Sequence, residues 1–265
     1  ANGPGAQVEP GVWEFEQTPP LSTYFVTLVA GPYHHVRDVH DGIPLGLLCR
    51  TSIARDLDAD ADELFGMTRQ CFDEFHQAFV PEFNAGAMEN PGCVTFRDPL
   101  VFSSRVTRGK RITRATTVAH EMAHQWFGNL TTPLWWDDLW LNESFAEYMG
   151  VRVTADVTEF GDAWTNHAYS RRQWGLVADR RPSTHPVAGN GAVDAASALT
   201  DFDGISYSKG AAVLKQLNAR LGDEVFFAGV TDHFRSHWLG NATMHDLFSS
   251  WERAGAGDLA DFTAG

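Results

Sequence analysis

Residues 120–124 read His-Glu-Met-Ala-His, and eighteen residues later Glu143 stands within Trp140-Leu141-Asn142-Glu143-Ser144-Phe145. On a helix, residues four apart are rotated by about 400°, so the imidazoles of His120 and His124 project from one face and can close on a single ion. Glu121 lies about 100° around the same helix, where it reaches a metal-bound water but not the metal. Two neutral imidazoles and one carboxylate, from Glu143, are the ligand set of a catalytic Zn2+, one per chain, with its fourth position open; thiolates would close a structural site. Such an ion lowers the pKa of a bound water from near 16 toward about 7. Glu121 is then placed as the general base toward that water. The competing reading is a surface helix carrying ordinary charged residues.

The elements that must position these groups follow from pattern. Tyr24 to Ala30 is β-rich and bounded by Pro19-Pro20 and Gly31-Pro32, which predicts a strand, and Leu45 to Ser52 predicts a second. From Asp60 to about His76 the apolar set Leu64, Phe65, Met67, Cys71, Phe72 and Phe75 recurs at helical spacing. Pro81 to Phe96 reads as a strand broken at Gly86 and Gly92. The histidine-bearing helix is expected from about Arg111 to Phe127, with Gly128 as its stop. A further helix is expected to start at Asn142 as N-cap and to carry Glu143 in its first turn. After a polar stretch from Arg180 to Asp203, three more helices are expected: Ser208 to Leu221, Asp223 to Phe234, and Met244 to Arg253 capped by Thr243 or Asn241. Strands first and helices afterwards describe an α+β fold rather than an alternating one.

The 265 residues suffice for a large buried core, and 43% hydrophobic content with 9 Trp and 18 Phe argues for a folded globular chain. A net charge of −14 without a basic cluster disfavours nucleic acid and anionic membrane, and favours cationic groups such as a peptide's free ammonium. Cys49, Cys71 and Cys93 make an odd number with no CxxC pair, so they read as small apolar fillers in a reducing compartment. With no membrane-length apolar run and no basic-apolar leader at Ala1-Asn2-Gly3-Pro4, the expected location is the cytoplasm.

With Gly86-Ala87-Met88-Glu89-Asn90, His120 to Trp126 followed by Phe127-Gly128-Asn129-Leu130, Trp135 to Tyr148, and Gly204-Ile205-Ser206-Tyr207-Ser208-Lys209-Gly210-Ala211 all in order, the chain resembles the aminopeptidase N family of zinc metallopeptidases (gluzincins), in particular the bacterial members. The likeness covers nearly every residue. It implies a thermolysin-like catalytic domain, a mixed β-sheet followed by helices, over residues 45–265, with residues 1–44 as the last strands and linker of an N-terminal β domain. It implies a zinc-dependent hydrolase that removes the N-terminal residue from peptides with a free N-terminus. It assigns Tyr207 as hydrogen-bond donor to the oxyanion; read without the family, Tyr207 is equally a packing residue. It assigns Glu89 to the substrate's α-ammonium, and the backbone of Gly86 and Ala87 to pairing with the peptide as an edge strand. Met88 would line the pocket for the first side chain. Without the family, Glu89 reads equally as a solvated turn residue. Asp138 and Glu147 are both candidates to orient the metal-binding imidazoles.

Family members are longer, with a full N-terminal β domain and a large helical C-terminal domain, and both are expected to be missing here. The helical pattern also runs almost directly into strand-like residues near His76, where connectors usually take about 2–6 residues. The resemblance leaves two other readings open. One is an epoxide hydrolase-type relative using the same zinc; the other is a non-catalytic scaffold, inactive through truncation.

Overall fold

The computed structural model describes residues 1–3, 5–71 and 76–263. The chain divides into two compact units, 1–122 with 153–163, and 123–152 with 164 onward.

The first unit begins with a hairpin, β1 (Gly5–Glu9) and β2 (Val12–Phe15), paired antiparallel. Its main sheet has the order β3-β4-β5-β7-β6, built from β3 (Tyr33–His40), β4 (Ile43–Arg50), β5 (His76–Val80), β6 (Ala87–Met88) and β7 (Val94–Arg97). β4, β5 and β7 run parallel, while β3 and β6 flank them antiparallel, so the sheet is mixed. Between β4 and β5 lies α1 (Ala54–Cys71), which buries Leu57, Leu64, Phe65 and Met67 on one stripe. In β4 the alternate residues Leu45, Leu47 and Cys49 are all buried, the period-two pattern of a strand with one face on a core. Burial also pushes the Cys49 thiol up to about 11, as befits an inert filler.

The strand expected over Tyr24 to Ala30 does not form. Thr23–Phe25 is a single 3-10 turn; Phe25 is buried, but Val26 and Leu28 stand 78% and 71% exposed. High β-propensity gains nothing without a partner strand and a face to cover, and the pairing partner of β4 is instead Tyr33–His40. Phe72, Phe75 and the joint leading to His76 lie outside the described residues.

The second unit is largely helical: α3 (Trp140–Val157, whose last residues belong to the first unit), α4 (Ala163–Tyr169), α5 (Arg171–Asp179), α6 (Ala195–Ala198), α7 (Gly210–Leu221), α8 (Asp223–Ser236), α9 (Met244–Trp251) and α10 (Ala260–Thr263). The expectation of helices alone is corrected by a short parallel pair, β8 (Thr131–Pro133) with β9 (Gly240–Ala242). Thr243 does cap α9, in a reciprocal box with Asp246. The core gathers around Phe145, Phe226 and Trp251, all fully buried: Phe145 stacks on Phe127 at 4.4 Å between ring centres, and the Trp251 indole donates to the Phe226 carbonyl at 2.9 Å. Emptying the Phe145 position would cost about 3–5 kcal/mol. Among the described residues, no helix is long and apolar enough to cross a membrane.

His233 on α8 is 5% exposed, and its Nδ1 has no hydrogen-bond partner. Burial first, then the neighbouring His237, pushes its pKa down to about 4. As pH falls from about 6.5, the unfolded chain takes up the proton first, so stability is lost between about 6.5 and 4 and stays lost below; the 2.5-unit gap corresponds to about 3 kcal/mol. Urea unfolding followed from pH 7.5 to 4 is expected to show this extra loss in the wild type relative to His233→Gln. Parallel pH dependence in the two proteins would contradict it.

Candidate active site

The histidine-bearing helix is α2 (Arg108–Ala123), three residues earlier at its start than the sequence pattern suggests. Ile112, Ala115, Val118, Ala119 and Met122 are buried along one side of it. Its attachment to α1 is ionic. Arg114, with a fully buried side chain, pairs with Asp60 and, at 2.9 Å, with Glu63, and donates to the Leu100 carbonyl at 3.1 Å. Arg111 grips the same Glu63 at 2.9 Å. Burial pushes the Glu63 carboxyl up, but the bonds from Arg111 and Arg114 outweigh it and hold it below the usual carboxylate range. With Arg114 fully buried and its carboxylate partners part-buried, loss of those partners would leave a buried guanidinium unpaired, which fixes the setting of α2.

The α-helix ends at Ala123, and His124 sits in the next turn, which closes through Phe127 N–H on the Ala123 carbonyl at 3.0 Å. The chain then reverses at Gly128, with φ at +115°. A Cβ there would also stand 2.3 Å from the Asn142 side-chain oxygen. This close approach sets the loop against the start of α3. Asn142 is therefore not the N-cap expected from its residue type: a 3-10 turn at Trp136–Asp138 feeds straight into a helix that starts at Trp140, which leaves Asn142 buried inside it. Glu143 remains in the first turn, where the helix dipole favours a negative charge.

His124 and Glu143 are 1% and 5% exposed, and His124 Nε2 faces Glu143 Oε2 at 3.5 Å. The other ring nitrogen, Nδ1, lies 3.0 Å from the Phe127 carbonyl. A carbonyl only accepts, so Nδ1 carries a hydrogen, and Nε2 is the ring nitrogen turned to the carboxylate. Two buried electron-pair donors in apposition call for a proton or a cation. One ligand atom each from His120, His124 and Glu143 fall within 4.8 Å of one another, and a third donor is beyond what one proton can serve. Ligands about 2.1 Å from one tetrahedral ion stand about 3.4 Å apart, so the observed spacing and the nitrogen-oxygen donor set fit zinc.

Glu121 is 5% exposed, and its carboxylate lies within 4.8 Å of that of Glu89, itself 5% exposed. Glu89 is thus buried and not a solvated turn residue. It follows directly on β6, the short end strand of the sheet, in which Ala87 and Met88 pair with β7 alone among the described residues and the Gly86 carbonyl accepts from Arg97 N–H at 3.2 Å. Asn90 anchors the turn beyond it by donating to Thr95 Oγ1 at 3.2 Å.

Tyr207 is half-buried in a five-residue π-helical turn, Ile205–Lys209, that leads into α7. π-turns of this kind recur at functional positions. The turn is tied to α3 beside Glu143: Ser144 Oγ, wholly buried, donates to the Ser206 carbonyl at 2.6 Å. Of the two carboxylates considered as orienting groups, Asp138 accepts from the Trp140 indole and from Met244 N–H at 2.9 Å, linking α3 to α9; burial, with Asp137 adding to it, pushes its carboxyl above the usual range. Glu147 takes a fork from Arg171, Nε at 2.8 Å and Nη2 at 2.9 Å, together with His167 at 3.1 Å. The His124 Nδ1–H is thus held by a backbone carbonyl. Sequence patterns gave no notice of the Arg171 and His167 contacts to Glu147 or of the Ser144–Ser206 bond, whose partners are far apart along the chain; the one available signal is the placement of Glu147 a helical turn after Glu143.

His120 near the end of α2, His124 in the turn after it and Glu143 in the first turn of α3 make up a grouping suited to a hydrolase. The family model for the Peptidase family M1 domain matches residues 59–264, and the chain belongs to that family. It is 45% identical to aminopeptidase N of Streptomyces lividans over 98% of this chain and 32% of that protein. It is 34% identical to leucyl aminopeptidase of Saccharolobus solfataricus (96% and 33%) and 35% identical to aminopeptidase M1 of Arabidopsis thaliana (92% and 29%). The chain thus spans about a third of the length of the curated relatives it matches.

Gly128→Ala adds a Cβ where φ is positive and Asn142 leaves no room. It is expected to cost about 1–3 kcal/mol in denaturant unfolding and to weaken zinc binding, measured by competition with a chromophoric chelator. Wild-type stability and wild-type zinc affinity would show that the reversal does not set the site.

Proposed function

We propose that this chain is the catalytic portion of a zinc-dependent aminopeptidase, a thermolysin-like domain that hydrolyses the N-terminal residue from peptides. The observation that carries the reading is the convergence of His120, His124 and Glu143, with the ligand atoms within 4.8 Å of one another. When bound there, one Zn2+ supplies Lewis acidity, which makes water nucleophilic near neutral pH and polarises the scissile carbonyl.

The remaining work falls to the protein. Glu121 accepts a proton from the attacking water and returns it to the departing amine; its burial keeps the carboxylate from being solvated away from this task. Tyr207 donates its hydroxyl to the oxyanion, supported by the Ser144–Ser206 bond that ties its turn to the Glu143 helix. Glu89, a buried anion at the end of β6, receives the substrate's α-ammonium and thereby restricts cleavage to the amino end. Gly86 and Ala87 offer the backbone of a sheet edge to the extended peptide. Met88, half-buried, faces the first side chain with a thioether adaptable to several residue types.

Zinc should bind one per chain, and Glu121→Gln is expected to keep it while kcat on an aminoacyl anilide falls by about 10²–10⁴-fold. Near-normal turnover by that variant would remove Glu121 from the chemistry. Independently, acetylating the substrate's α-amine is expected to abolish cleavage; efficient cutting of blocked peptides would make the domain an endopeptidase instead.

A further inference from the structure

Arg171 opens α5, and its fork closes on both oxygens of Glu147, one turn beyond Glu143 on α3. The Glu147 carboxylate is 8% exposed, whereas Arg171 keeps 41% of its side chain in solvent. The same guanidinium lies 5.4 Å from the centre of the Tyr207 ring and 4.5 Å from that of Trp174, whose ring is 5.6 Å from Tyr207. These are cation–π distances. The segments beneath are in close contact: a Cβ on Gly204 would stand 2.8 Å from Gly175 Cα, and Lys209 Nζ reaches Asp179 at 2.7 Å. The π-turn is therefore held on one side by Ser144 of α3 and on the other by α5, and Arg171 joins these two supports.

We propose that Arg171 is a positioning residue: clamped by Glu147, it fixes the Tyr207 ring relative to the helix that carries Glu143. The sequence places Glu147 one turn from Glu143, so a single rigid helix carries both the metal carboxylate and the anchor for the tyrosine's cationic neighbour. A bidentate fork transmits orientation, which a lone ammonium would not. His167, on the same carboxylate at 3.1 Å, steadies the anchor. Burial alone would lower the Arg171 pKa, but the Glu147 carboxylate, with Glu143 adding to it, raises it above the usual guanidinium value.

The catalytic part of this proposal rests on Tyr207 acting as the oxyanion donor; the positional part does not, and the two are tested separately. In metal-free protein labelled with ring-13C tyrosine, the Tyr207 resonance, identified by its loss in Tyr207→Phe, is expected to be single and narrow in the wild type. It should be broadened or doubled in Arg171→Ala and intermediate in Arg171→Lys. An unchanged resonance in Arg171→Ala overturns the proposal whether or not the chain hydrolyses peptides. In the zinc-loaded protein, Tyr207→Phe is expected to lower kcat by about a hundredfold, and Arg171→Ala by about tenfold or more with little change in KM. Combining the two should cost less than about twofold beyond Tyr207→Phe alone, because one residue acts through the other. Full multiplication of the two effects would show that Arg171 acts elsewhere. Should Arg171→Ala fail to fold, Arg171→Lys and Glu147→Gln take its place, and a wild-type Tyr207 resonance in both would overturn the proposal.

Discussion

Two electron-pair donors, His124 Nε2 and Glu143 Oε2, are held 3.5 Å apart inside the protein, and much of the second unit serves to keep them there. A buried imidazole nitrogen and a carboxylate oxygen at this distance suit a shared proton or cation. The cost of holding them is met by packing: Phe127 stacks on Phe145, two residues beyond Glu143, and the fully buried Phe226 and Trp251 enclose that ring. The Phe127 carbonyl at the same time accepts the His124 Nδ1 hydrogen, so one residue fixes both the rotamer and the tautomer of a ligand.

The division of labour between sequence and tertiary context follows from this. His120 and His124 could be picked out as candidates because helical geometry converts a spacing of four into a shared face, and Glu143 because it stands in the first turn of the next helix. The amphipathic stripe of α1 and the Thr243 cap of α9 are legible for the same local reason. Tyr24 to Ala30 is misread because strand formation depends on a partner that propensity cannot see, and Asn142 is misread because a preceding 3-10 turn extends α3 past a good capping residue. Glu147 is visible as a carboxylate near the site, yet its engagement is with Arg171 and His167, 24 and 20 residues away. Nothing in a one-dimensional pattern joins them.

The same contrast separates the two sides of the candidate chemistry. The metal side is encoded locally, in one helix and the first turn of another. The substrate side depends on the pairing of β6 at the end of a mixed sheet and on a π-turn braced by α3 and α5, both of which are products of the whole fold. Family M1 membership is consistent with both sides, and the chain spans about a third of each curated relative it matches.

The central claim is that His120, His124 and Glu143 are one zinc site. Zinc K-edge X-ray absorption on the zinc-loaded chain tests it most directly. The account predicts two imidazole nitrogens at about 2.0–2.1 Å with carboxylate and water oxygens and no sulfur, and loss of one imidazole from the spectrum in His124→Ala. A thiolate scatterer, or a spectrum indifferent to His124, would contradict it.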